Sequence, residues 1–305
     1  MADPRSKRRA LVTGASGFIG QHLVAQLSKT GWEVHAIVRP TSSVHNLVGY
    51  AQIHIDDGST AAIRLAVSAS DPDVCFHLAS QFVAQHSTDD VETLVANNVA
   101  FGARVVEELS RQRPILLVNT GTAWQHVDGQ PYRPSTLYAA TKQAFQDILQ
   151  YYSVAGLLRV VNLKLFDTYG ANDPRPRLLP LLIEAARTSE VLEATPGEQL
   201  IDLVHVDDVV NAFLVAAETH LHMEAPLFES FAVSSGTPIT VRELVARIEG
   251  VVGHTVPVRW GGRSYRPQEM LSYWRAGDPL PCWSPQIPLD DGLRELWTES
   301  LADTP

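Results

Sequence analysis

The chain is expected to fold as a doubly wound α/β unit, a parallel sheet covered by helices on both faces, with a smaller lobe built from its C-terminal part. Three observations carry this expectation. Short apolar, β-branched runs alternate with helical patterns through the first half, as β-α-β units require. A glycine-rich turn, Thr13-Gly14-Ala15-Ser16-Gly17-Phe18-Ile19-Gly20, joins the first such run to the first helical stretch. With 305 residues and 45% apolar side chains, the chain can bury a sizeable core in one large unit or two joined lobes.

The elements follow in order. Residues 10–13 read as a strand, and 17–29 as a helix with Phe18, Ile19, Leu23, Val24 and Leu27 on one side. Strands follow at 34–38 and 51–55, a helix near 61–68, and a strand at 74–78. A helix over 91–110 leads to a strand at 115–119, and a helix over 138–155 leads to a strand at 158–165. Beyond Phe166 the pattern is less regular and richer in proline and arginine. A helix is expected at 178–188, a strand at 201–204, a helix at 207–218 and a helix at 241–249. Loops with many prolines fill the rest.

The formal charge of −10, with no basic block, argues against nucleic-acid binding, which needs clustered Lys and Arg for phosphates. Cys75 and Cys282 are far apart and form neither a metal spacing nor a disulfide framework. Cys75 reads as a buried small hydrophobe, and this cysteine usage fits a reducing cytoplasm. The basic start (Arg5, Lys7, Arg8, Arg9) reads as a short tail before the first strand rather than a targeting signal. No 18-residue apolar stretch follows, so no membrane span is expected.

In the glycine turn, Gly14 permits the bend, Gly17 lets backbone approach a pyrophosphate at the helix N-terminus, and Gly20 allows close helix–strand packing. That context marks a dinucleotide site. At the end of the second strand, where an acidic residue would serve the ribose hydroxyls of NAD, the sequence reads Val38-Arg39-Pro40-Thr41-Ser42. A guanidinium cannot accept a hydrogen bond but suits a 2′-phosphate, so NADP(H) is expected over NAD. Asp56 or Asp57 is placed to meet the adenine amino group. His77-Leu78-Ala79-Ser80 ends the fourth strand, where backbone would line the cofactor. His77 itself reads as packed, and none of the 11 histidines has metal or triad spacing, so no metal is expected.

Tyr138 and Lys142 lie one helical turn apart on one face. A tyrosine with a pKa of about 10 needs a nearby positive charge to work as an acid or base. At about 4 Å and an effective dielectric near 20, one such charge is worth on the order of 4 kcal/mol. Lys142 is expected to supply it and to hold the nicotinamide ribose. Thr122, after Asn119-Thr120-Gly121, is expected to hydrogen-bond the substrate carbonyl beside Tyr138.

On Thr13–Gly20, His77–Ser80, Asn98, Thr122, Tyr138/Lys142 and His205-Val206-Asp207-Asp208-Val209, the chain resembles the extended short-chain dehydrogenase/reductase family over about residues 10 to 235. The resemblance implies a Rossmann domain over 1–168, to which 201–235 returns, and a nucleotide-sugar lobe made mainly of 169–305. It implies a homodimer formed through the helices at 91–110 and 138–155. It adds Ser16, Phe18, Ile19, Ser42, Asn98, Thr120, Phe166 and Thr168 to the expected cofactor contacts. On the substrate side it adds Gln81, Ala123, Trp124, Asp167 and Leu178, with Arg175, Arg177 and Arg266 for a diphosphate.

A narrower resemblance, in Asn119–His126, 137–145, Leu165-Phe166-Asp167-Thr168-Tyr169-Gly170 and Asp173-Pro174-Arg175, is to the CDP-abequose and CDP-paratose synthase branch. Such enzymes reduce the C4 ketone of a nucleotide-linked 4-keto deoxysugar with NADPH, and related sequences serve deoxysugar pathways of antibiotics. Related dehydratases carry Asp-Glu after the threonine. Here Ala123 and Trp124 follow Thr122, and neither can transfer a proton, which argues against dehydration. The expected activity is therefore NADPH-dependent reduction of a 4-keto-6-deoxy sugar nucleotide. Two alternatives stay open: a 4-epimerase holding NAD tightly, and a non-catalytic NADP(H)-binding regulator.

Overall fold

The computed structural model describes residues 7–302; Arg5, in the basic start, lies outside them. The chain begins with β1 (Arg9–Thr13), α1 (Phe18–Lys29), β2 (Glu33–Val38), β3 (Gln52–Ile55), α2 (Thr60–Ser70) and β4 (Val74–His77). Next come α3 (Asp90–Val95) and α4 (Phe101–Ser110), joined by a π-helical turn at Ala96–Ala100, then β5 (Ile115–Thr122), α5 (Leu137–Val154), β6 (Leu158–Leu165) and β7 (Asp167–Tyr169). The second part holds α6 (Leu178–Thr188), β8 (Leu192–Ala194), β9 (Leu200–Ile201), β10 (Leu203–His205), α7 (Val206–His220) and β11 (Leu227–Val233). It closes with β12 (Ile239–Thr240), α8 (Val241–Val252), β13 (Val258–Trp260) and α9 (Leu289–Ala302).

Seven strands form one sheet in the order β11-β6-β5-β4-β1-β2-β3, every pair parallel. Its central strands are apolar at consecutive positions because both faces are covered. Val12, Phe76, Val118 and Leu163 face Leu23 of α1 and Phe213 of α7. Their neighbours Leu11, Cys75, Leu117 and Val160 face Ile63 of α2, Val105 of α4 and Leu149 of α5. Phe76 meets Trp32 and Phe213 edge-on at 6.3 and 6.4 Å. Truncating a ring buried this way costs about 3–5 kcal/mol. A separate core joins α6, α8 and α9 through Leu182, Ile183, Leu244, Ile248 and Leu293.

Side chains set several helix starts: Ser59 Oγ accepts from Ala62 N at 3.1 Å, and Thr136 Oγ1 from Ala139 N at 3.1 Å. Thr240 and Glu243 form a reciprocal capping box at α8.

The structure departs from the sequence expectations in several places. The helix over 91–110 is interrupted by the π-helical turn. The strand at 201–204 is two short strands separated by Asp202, whose carboxylate is used elsewhere. β5 runs three residues further, to Thr122. β11 and α9, assigned to no element from sequence, are a full sheet strand and a terminal helix.

Candidate active site

The sheet register aligns the ends of the central strands: Thr13 pairs with His77, and His77 with Asn119. The strand order reverses about β1 and β4, so a crevice opens beyond their C-terminal ends, where ligands bind in such sheets. Thr13 Oγ1 lies 2.9 Å from His77 Nδ1 and accepts from Ala79 N at 3.3 Å, tying the ends of β1 and β4 together. His77 is thus a packed residue. Burial, then the Lys142 charge, pulls its pKa down to about 3.

The glycine turn has the shape a dinucleotide needs. Gly14 has φ +68°, and a Cβ there would lie 2.5 Å from Ala79 N. A Cβ on Gly20 would lie 2.1 Å from Gly14 O. Gly17 is the N-cap of α1, with no side-chain cap and no acidic residue in the first turn. The helix N–H groups and its positive end therefore face outward for an anion. Ser16 is exposed, Ile19 is half-buried and Phe18 is in the core. The buried Thr120 Oγ1 has no hydrogen-bond partner among the described residues. These features fit a nicotinamide dinucleotide.

Arg39 is exposed just past β2, in a turn closed by Ser42 N donating to Arg39 O at 3.0 Å. Asp56 N donates to Val38 O at 2.8 Å, placing Asp56 beside that turn. Asp57 is turned instead toward α2, where its carboxylate accepts from Ser59 N at 2.9 Å. Leu78 and Ala79 form the wall against Gly14.

Asn98, expected at the cofactor, makes four hydrogen bonds within the protein. Its buried amide accepts from Ser80 Oγ (3.3 Å) and Gln81 N (2.6 Å), and donates to Gln81 O (3.0 Å) and Thr141 Oγ1 (2.9 Å). It braces the loop after β4 against α5. The π-helical turn in which it sits is a device frequent at functional sites.

On α5, Tyr138 is half-buried, and its ring meets Phe82 at 5.0 Å and 75°. Burial raises its pKa; Arg177, then the Ser80 hydroxyl and Arg175, pull the other way. Lys142 is almost fully buried, which lowers its ammonium to about 8. Thr122 Oγ1 accepts from Trp124 N at 3.2 Å, and Gln125 Oε1 accepts from Thr122 N at 3.1 Å. The Thr122 hydroxyl has no acceptor for its proton among the described residues.

A cavity of about 650 Å³ lies next to Phe82 and Trp124 on the second-lobe side; Thr122, Tyr138 and Lys142 are not among its lining residues. Ala123, Trp124, Asp167, Arg177, Leu178 and Arg266 line it, as do Phe166 and Thr168. Gln81 and Arg175 are not among its lining residues. Gln81 is held by Asn97, Asn98 and Thr93. Arg175 forms a two-point pair with Asp173 (2.6 and 2.7 Å), donates to Thr168 O, and stacks 4.5 Å over the Phe18 ring. It belongs to the wall behind the glycine turn. Arg266 is likewise paired with Glu269 (2.7 and 2.6 Å) and stacked 5.0 Å over Trp124.

Sequence reasoning missed Phe82, Asp202, Glu269, Tyr273 and Trp274, all on the cavity wall. Only Asp202 carried a signal, as a carboxylate within Leu200-Ile201-Asp202-Leu203-Val204. It accepts from Ser234 Oγ (2.5 Å) and Ser235 N (3.0 Å), while burial raises its pKa. Among the described residues, no group of three His, Cys, Asp or Glu is arranged to hold a metal ion. No helix among them is long and apolar enough to cross a membrane.

The chain is similar to CDP-abequose synthase of Salmonella typhimurium, 26% identical over 95% of this chain and 97% of the relative. It is similar to UDP-glucose 4-epimerase of Mycolicibacterium smegmatis, 28% identical over 93% and 96%. Its fold matches the solved structure of UDP-glucose 4-epimerase from Thermus thermophilus in complex with NAD, with a TM-score of 0.81, 25% identity, and 97% and 100% of the two chains covered. Residues 10–226 match the family as a whole, and the chain belongs to the NAD dependent epimerase/dehydratase family.

Proposed function

We propose that the protein is an NADPH-dependent reductase of the C4 ketone in a nucleotide-linked 4-keto-6-deoxy sugar. The observation that carries this reading is the chemistry of the segment that begins at Thr122. Thr122 can donate a hydrogen bond, and the next two residues, Ala123 and Trp124, line the cavity with no proton-transferring group. That chemistry suits adding hydride and a proton to a carbonyl, and lacks the acid–base pair that removing water demands. The similarity to CDP-abequose synthase supports the same substrate class.

When bound, the reduced nicotinamide supplies the hydride. The glycine turn and the N-terminus of α1 would hold its pyrophosphate, Arg39 the 2′-phosphate, and Lys142 the ribose near the nicotinamide. Tyr138 donates its proton to the developing alkoxide, and Thr122 hydrogen-bonds the same oxygen. Arg177 offers charge-assisted hydrogen bonds to the substrate diphosphate. Among the arginines expected in that role it alone has no close carboxylate: its nearest, Asp167, is 3.7 Å away, and its Nε is buried without a partner among the described residues. Two copies pairing through α3–α4 and α5 would form the functional dimer.

A second reading is a 4-epimerase, favoured by the solved NAD complex and the mycobacterial relative. NADPH oxidation over a panel of enzymatically prepared 4-keto-6-deoxy sugar nucleotides, with NMR of the product, tests the proposal. Reduction of at least one, lost on Tyr138→Phe, is expected. NAD copurifying with the protein, and interconversion of C4 epimers without added reductant, would establish the epimerase instead.

A further inference from the structure

Gln125 is fully buried at the end of the single 3₁₀ turn, Ala123–Gln125, that follows β5. A leucine would fill such a position at no polar cost, whereas a buried amide must have its groups paired. Here they are paired, and the partners lie on two elements. Gln125 Oε1 accepts from Thr122 N at 3.1 Å, and the Thr122 hydroxyl caps the same turn in return. Gln125 Nε2 donates to Gln143 Oε1 at 2.6 Å and to Gln146 Oε1 at 3.2 Å, both on α5. One side chain thus joins Thr122 to the helix that carries Tyr138 and Lys142.

The orientation of the amide is dictated from both ends. The Thr122 N–H can only donate, so Oε1 must face it. Gln143 Nε2 donates to Asp147 Oδ1 at 2.8 Å. An ionised carboxylate only accepts, so Gln143 turns its own oxygen toward Gln125. Gln146 Oε1 also accepts from Asn162 Nδ2 at 3.2 Å, which ties the same point to β6. Asn162 in turn accepts from Asn119 Nδ2 at 2.7 Å and donates to Ser230 Oγ at 3.0 Å. Amides linked this way polarise one another and stiffen the core they sit in. Apolar contacts are non-directional and would not fix the Thr122 peptide in this manner.

We propose that Gln125 is a positioning residue whose amide, as a strut between Thr122 and α5, sets where the Thr122 hydroxyl stands relative to the Tyr138 hydroxyl. The proposal rests on the reading of those two hydroxyls as partners on one developing alkoxide. Donors aimed at such an oxygen work only when held in place, and a misplacement of about 1 Å can cost about 10²-fold in rate. Asn98 ties α5 to the loop after β4; Gln125 ties it to the end of β5.

The test is a double-mutant cycle between positions 125 and 122 in the full-length protein, read as kcat and KM. Turnover is followed as NADPH oxidation with a 4-keto-6-deoxy sugar nucleotide and as interconversion of C4 epimers, since both need a proton moved at the C4 oxygen. Gln125→Leu is expected to lower kcat by roughly tenfold to a hundredfold while KM changes by less than about twofold. In a Thr122→Val background the same substitution should lower kcat by less than about twofold, because the hydroxyl being positioned is gone. Gln143→Ala cuts the strut at a half-buried helix position and serves where Gln125→Leu does not fold. It too should lower kcat only when the Thr122 hydroxyl is present. A merely structural role would lower kcat alike with and without that hydroxyl. Equal losses in the two backgrounds, or a loss confined to KM, would overturn the proposal. A parent that turns over neither kind of substrate would instead remove the reading of Tyr138 and Thr122 itself, and the proposal with it.

Discussion

Asn98 Nδ2 lies 2.9 Å from Thr141 Oγ1, the residue just before Lys142, while the same amide accepts from Gln81 N at 2.6 Å. One buried side chain thus fixes the distance between the loop after β4, which carries Ser80 and Phe82, and the helix that carries Tyr138 and Lys142. Asn98→Ala would leave the Gln81 and Thr141 groups without it. A loss of about 2–4 kcal/mol in unfolding free energy is expected, with a fall in kcat larger than any change in KM. Urea denaturation and steady-state kinetics on one preparation measure both.

Gly20 packs where no side chain fits, since an added Cβ would lie 2.1 Å from Gly14 O and 2.8 Å from Ala15 Cα. Both obstacles are backbone, so neither can swing aside. Gly20→Ala is expected to cost about 1–3 kcal/mol or more and to distort the turn before α1. Dinucleotide affinity, followed by calorimetry, should fall more than stability does. Gly31→Ala tests φ alone: a Cβ there meets nothing within 4 Å, although φ is +90°. It should leave dinucleotide affinity unchanged.

Arg39 stands exposed beside the turn closed by Ser42. If it meets a 2′-phosphate, Arg39→Ala should raise the Kd for NADPH by about tenfold or more, a loss of roughly 1.4 kcal/mol or more for a charged hydrogen bond. The Kd for NADH should change little. Equal losses for both cofactors would assign Arg39 to the surface rather than to the phosphate.

His77 and His126 link stability to pH. Burial, then nearby Lys142, lowers His77 to about 3, and burial, then Lys164, lowers His126 to about 4. Unfolded, each takes its proton near pH 6.5. Between those values the unfolded chain binds more protons, so this contribution is full above about pH 6.5 and is lost as pH falls through the window. The slope is at most about 1.4 kcal/mol per pH unit for each histidine. Urea midpoints should therefore drop between about pH 7 and about pH 5, and less steeply for His77→Gln. Parallel slopes in parent and variant would mean that His77 titrates normally.

Much of this is legible in the sequence because the governing physics is local. Sheet strands buried on both faces must be apolar at consecutive positions, as Leu116, Leu117 and Val118 are. The glycine turn is dictated by close backbone approach, which only glycine tolerates. β11 is hidden because its Leu-Phe-Glu-Ser-Phe-Ala-Val run is half-buried at the sheet edge and carries Glu229, which binds His220 at 2.7 Å. α9 is masked by its acidic start and the prolines before it. The π-helical turn leaves no mark in Ala-Asn-Asn-Val-Ala, since each residue suits an ordinary helix. The roles of Arg175 and Arg266 depend on Asp173 and Glu269, and spacing alone does not say whether those carboxylates or a ligand claim the guanidiniums.

The most direct test of the central claim follows the hydrogen itself. The protein would be incubated with a 4-keto-6-deoxy sugar nucleotide and NADPH deuterated at the transferable position, and the sugar product examined by NMR. One deuterium at C4 for each NADPH oxidised is expected, with the transfer lost in Tyr138→Phe. Interconversion of C4 epimers with no deuterium at C4 and no NADPH consumed would contradict the reductase and leave the epimerase in its place.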